Sequence, residues 1–130
     1  MNHPPIPEEV RRFVLTSVPS VPFLEALLLL RADPAQAWDG ATLAGRLYIR
    51  ERTGDDLLDA LCTAGMAQRD AALDGAPCRY APSSALLRAR IDLLADAYAR
   101  QLVDITHLIH SSLERKAQQF ADAFRLRKDA

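Results

Sequence analysis

Few residues in this chain are of types that do chemistry, and their spacing narrows the options. Of the three histidines, His107 and His110 are three apart, with Asp104 one turn earlier. On a helix that spacing presents two imidazoles to one metal ion, but a structural zinc site wants four ligands. The next acid, Glu114, lies past Ser111-Ser112, which reads as a helix break. The plainer reading is two interface or solvent histidines, so no metal and no other cofactor is expected. Cys62 closes an apolar helical stripe beside Leu61 and reads as a small buried hydrophobe. Cys78 falls in a predicted strand. Redox sensing there needs a lowered thiol pKa, and no charge cluster adjoins it. Two cysteines are too few for a disulfide scaffold and fit a reduced, cytoplasmic protein. The chain has no G-x-S-x-G, no phosphate-binding glycine loop, no H-E-x-x-H and no C-x-x-C. With 5 Gly and 3 His, an enzyme is not expected.

The elements that must position these residues are mostly helical. At 130 residues the chain can bury one core of ordinary size. Apolar residues make up 49% and charged ones 25%, a globular composition. The 22 Ala and 20 Leu are strong helix formers. A net charge of −1 excludes a general polycation with affinity for any nucleic acid or anionic membrane. Residues 1–7 lack a basic run followed by an apolar stretch, so no signal peptide is expected. The apolar run 21–30 contains Glu25 and is too short for a membrane span.

Pro4, Pro5 and Pro7 keep the start extended. Glu8 and Glu9 open a short helix striped by Val10, Phe13, Val14 and Ser17 or Val18, and Pro19 ends it. Ser20 caps the next helix, apolar nearly all round through Leu30, until Asp33-Pro34 stops it. Asp39 caps a short helix over 40–47, and a break at 48–50 leads to a third helix over 51–64. Leu57, Leu58 and Leu61 mark its buried edge, and Gly65 sits where a left-handed cap belongs. Trp38 and Tyr48 read as core and helix-junction packing. Residues 66–70 and 78–81 read as a hairpin with Asp74-Gly75 near its tip. Ser83 or Ser84 then caps the longest element, a helix over 84–110. It has an apolar seam through Leu87, Ile91, Leu94, Tyr98, Leu102, Ile105 and Ile109, and a second stripe through Leu86, Leu93, Ala97, Val103 and Leu108. A last helix over 113–126 carries Phe120 and Phe124 and closes on Arg125, Arg127 and Lys128.

The stretches Phe23–Leu30, Trp38–Leu47, Leu57–Met66 and Arg79–Pro82, in this order, resemble a small bacterial winged helix-turn-helix protein, broadly MarR-like. The resemblance covers residues 20–82 by motif and the rest by architecture. It implies a mainly α (α+β) fold: a winged helix-turn-helix with a two-stranded wing and long C-terminal dimerisation helices. The expected organisation is an N-terminal segment and short helix over 1–19, a winged-helix domain over 20–82 and C-terminal helices over 83–130, together one structural unit. It further implies a transcription regulator that binds double-stranded DNA as a homodimer. The recognition helix would be 51–64, with Arg46, Arg50, Arg52, Arg69 and Arg79 as candidate DNA contacts. Leu87, Ile91, Leu94, Tyr98, Leu102, Ile105, Ile109, Phe120 and Phe124 are the candidate dimer interface.

The charge of that helix departs from the family pattern. Arg50 and Arg52 stand against Glu51, Asp55, Asp56 and Asp59. Carboxylates facing phosphate repel it unless they point elsewhere. The alternative is a winged-helix module for protein–protein contact that binds no DNA. For the arginines, the plainer roles are local pairing with neighbouring acids or simple solvation.

Overall fold

The computed structural model describes residues 4–73 and 75–129, with side chains through residue 125. The predicted hairpin-tip residue Asp74, the first three residues of the extended start, and the side chains of Arg127 and Lys128 lie outside that set.

The order is α1 (Glu8–Ser17), α2 (Val21–Ala32), α3 (Gly40–Leu47), α4 (Glu51–Thr63), β1 (Ala67–Arg69), β2 (Cys78–Tyr80), α5 (Ala85–Arg100) and α6 (Leu102–Asp129). The fold is mainly helical with one small antiparallel sheet, hence α+β. Local signals place most of these boundaries. The Ser20 hydroxyl accepts from the Phe23 N–H, the Asp39 carboxylate from Thr42, and the Ser84 hydroxyl from Leu87. Each satisfies a backbone donor that the first helical turn leaves open. At the end of α4 the Gly65 N–H bonds the Cys62 carbonyl and the Met66 N–H bonds the Leu61 carbonyl. This is the Schellman pair, and Gly65 takes the left-handed φ of 75° that it requires.

β1 pairs β2 in the register Ala67 to Tyr80 and Arg69 to Cys78. Trp38 joins from the other side: its N–H and carbonyl both bond Cys78, each at 2.8 Å. A single residue before α3 thus extends the hairpin laterally and fixes it against the helices.

One buried cluster draws on every helix. Leu24, Leu27 and Leu30 of α2 meet Leu43 of α3, Leu58 and Leu61 of α4, Trp38, and Ile91 and Leu94 of α5. Leu28 and Leu47 are only half-buried at its edge. Tyr48 is a clear departure from expectation. It is 95% exposed and adopts the left-handed conformation at φ 57°. The reason is local: the Ile49 N–H reaches back to the Ala44 carbonyl, so the residue between must turn left-handed to close α3. That turn points the ring away from the core.

The C-terminal helices are the second correction. The expected helix over 84–110 ends at Arg100, and Ser111-Ser112 does not interrupt α6. The break falls instead at Gln101, with φ −133° and ψ 49°. Its side-chain amide donates to the Pro4 carbonyl at 2.6 Å, tying the junction to the N-terminal segment. Two serines cost a helix only a few tenths of a kcal/mol each, too little to end one of 28 residues. Bending at Gln101 lets both helices serve one core. Ile91, Leu94 and Ala97 enter it before the bend, and Ile105, Leu108 and Ile109 after it. The proposed dimer seam is therefore rephased. Four of its residues, Ile91, Leu94, Ile105 and Ile109, are sealed inside the chain's own core, and Leu102 turns outward.

Candidate nucleic-acid interface

α3 and α4 cross at very short range because two glycines meet there. A β-carbon on Gly54 would collide with the Gly40 carbonyl oxygen, and one on Gly40 would collide with the Asp55 carboxylate. Gly54 lies in the interior of α4, where glycine costs about 1 kcal/mol relative to alanine. The close crossing offsets that loss. The sequence signal was an isolated glycine inside a helical pattern, which marks a close approach without naming the partner.

The four acids of α4 divide into two groups. Asp55 rests against Gly40 at the first turn of α3, where the helix dipole favours a negative charge. Asp59 pairs with Arg69 of β1, whose guanidinium also donates to the Ala76 carbonyl at 2.8 Å. Asp59 is thus tied to the hairpin, whereas Asp55 stays exposed beside α3. Glu51 and Asp56 remain outward, against Arg50 and Arg52. Of the four carboxylates, Asp59 alone is balanced by a cation from a neighbouring element.

The five candidate arginines meet different fates. Arg69 is engaged by Asp59. Arg79 on β2 donates to Asp70 at 2.9 Å and to the Ala35 carbonyl, so it braces the hairpin against the α2–α3 loop. Both hairpin arginines therefore do structural work. Arg46 stands over the Trp38 ring, 5.7 Å from its centroid, yet stays exposed. Arg50 and Arg52 are exposed and pair with no acid among the described residues. Arg50 occupies the cap position of α4 and makes no side-chain cap bond. The first N–H groups of α4 are accordingly open, the arrangement that receives phosphate at helix N-termini. Sequence reasoning missed Tyr48 here. It lies between Arg46 and Arg50 in sequence and is exposed at the turn leading into that open end.

The remaining candidates are scattered. His107 and His110 are both exposed, and no three His, Cys, Asp or Glu side chains converge on a common point among the described residues. Leu87 and Tyr98 are half-buried against the core, whereas Phe120 and Phe124 are 75% and 61% exposed. A mainly apolar groove of about 550 Å³ runs between the α1–α2 turn, the end of α4 and α6, lined by Leu15, Phe23, Ala60, Met66, Leu87 and Lys116. No single helix among the described residues is long and apolar enough to cross a membrane.

No protein-family model and no curated protein matches the chain. A solved structure described as RV1404 from Mycobacterium tuberculosis is similar at 14% identity and a TM-score of 0.47. The match covers 86% of this chain and 66% of that one, so the chain spans just under two thirds of its length.

Proposed function

We propose that the chain is a winged helix-turn-helix regulator, broadly MarR-like, that binds double-stranded DNA as a homodimer. In this reading α2–α4 are the three-helix core, β1 and β2 the wing, α4 the recognition helix and α6 the main dimer element. The observation that carries it is the open N-terminus of α4, with Arg50 at its cap, Arg52 in its first turn, and Arg46 and Tyr48 exposed on the segment that leads into it. Backbone donors and guanidinium groups at one spot suit phosphate oxygens. The reading gains from the pairing of Asp59 with Arg69, which offsets one of the four carboxylates that the sequence set against phosphate. The dimer rests on Phe120 and Phe124, large apolar residues that a second α6 would cover.

The alternative is a winged-helix module for protein contact without DNA. It is favoured by the engagement of Arg69 and Arg79, which leaves the wing without open cations for the minor groove. A salt titration of binding to a mixed-sequence duplex separates the two. On the DNA reading, affinity falls steeply with salt, and replacing Arg50 and Arg52 with Ala lowers the log–log slope by about two. Absence of duplex affinity even at low salt would end the DNA reading and leave the alternative standing.

A further inference from the structure

The two cysteines, sixteen positions apart in sequence, meet in space. Their sulfur atoms stand 3.4 Å apart, Cys62 in the last turn of α4 and Cys78 on β2. Both are free thiols. Cys78 is sealed, held by its backbone bonds to Trp38 and with its sulfur near the Ala76 carbonyl, while Cys62 is partly exposed. We infer that this dithiol is an oxidative modification site, which an oxidant of the peroxide class converts into an intramolecular disulfide joining α4 to the hairpin.

The chemistry balances within the pair. Peroxide transfers one oxygen to the Cys62 sulfur, the one solvent reaches, and leaves as water. The Cys78 sulfur then attacks the resulting sulfenic acid, its proton leaves with the hydroxyl as a second water, and the sulfur–sulfur bond forms. Two thiols lose two electrons and one peroxide gains them. A disulfide is about 2.05 Å long, so the sulfurs must close by about 1.4 Å. They already lie at the separation of a near-attack geometry. The site sits at a junction that other contacts hold in place: the Schellman turn at Gly65, the Arg69–Asp59 pair and the Trp38 bridge fix α4 and β2 relative to each other.

The resting state is the reduced one. Burial first, and the neighbouring Cys78 thiol second, push the Cys62 thiol up to about 12. Thiolate is scarce at neutral pH, and the thiolate is the nucleophile. Oxidation at Cys62 is correspondingly slow. Nothing in this chemistry depends on DNA binding.

The test uses the reduced full chain, treated with hydrogen peroxide for increasing times and then denatured for thiol titration, intact mass and peptide mapping. The expected result is loss of both thiols together, loss of two hydrogens in mass, a monomer on non-reducing gels, and a peptide linking Cys62 to Cys78. Dithiothreitol restores both thiols. Cys78→Ala instead accumulates oxygen on Cys62, and Cys62→Ala keeps its buried thiol longer than the wild type does. The wild-type result stands even if a variant fails to fold. Retention of both thiols, oxygen adducts on Cys62 without the bond, or disulfides only between molecules would each overturn the inference.

Discussion

Ile105, Leu108 and Ile109 fill the same core as Ile91 and Leu94, whereas Leu113, Phe120 and Phe124, further along the same α6, stand in solvent. The two halves of the helix carry similar apolar spacing. What separates them is reach. The first half lies against α1 and α5, and the second, beyond the groove at Lys116, leaves Phe120 and Phe124 uncovered. Periodicity tells which face of a helix is apolar; it does not tell whether the cover comes from the same chain or another. The seam read from the sequence mixed the two kinds of residue because it assumed one straight helix through Gln101.

The largest effects should fall on the buried half. Ile105→Asp places an unpaired carboxylate in a sealed site and should cost several kcal/mol, enough to unfold the chain in a urea titration. Phe120→Asp makes the same chemical change in the exposed half. It should leave monomer stability within about 0.5 kcal/mol while abolishing the proposed self-association in sedimentation. Loss of monomer stability at Phe120 would show that this half is covered within the chain. Retention of self-association would move the proposed interface elsewhere.

A smaller contrast sits between two glycines. Gly54→Ala drives a methyl group into the Gly40 carbonyl and should cost about 1–3 kcal/mol by forcing α3 and α4 apart. Gly45, in α3, has open space where a β-carbon would go, so Gly45→Ala should stabilise by about 0.5–1 kcal/mol. Equal effects at the two positions in thermal unfolding would mean the crossing is looser than described.

A further modest effect is expected at a helix cap. Asp39→Ala removes the acceptor for the Thr42 N–H and should cost about 1 kcal/mol at neutral pH. That bond holds the Asp39 carboxyl below its ordinary pKa. A lowered folded-state pKa means the contribution is complete above about pH 4 and fades as the pH falls below it. The stability gap between wild type and variant should therefore shrink on acidification. A gap that does not change with pH would mean the carboxylate charge is irrelevant to the cap.

Local punctuation was legible in the residues themselves. Ser20, Asp39, Ser84 and Gly65 act within four or five residues of themselves, and the helices start and stop where those side chains and φ angles require. The Leu-rich α2 could only be central, because most of its surface is apolar and Glu25 marks the one narrow side that faces water. Tertiary structure decided whatever depended on a distant partner. Gln101 breaks a good helical pattern because bending there lets Ile105, Leu108 and Ile109 share the core of Ile91 and Leu94. Arg69 and Arg79 became braces rather than open cations because Asp59, Asp70 and the Ala35 carbonyl lie within their reach. Gly54 needed Gly40, and Cys62 needed Cys78. Each pair is brought together by the crossing of elements, a relation that no single segment of sequence encodes.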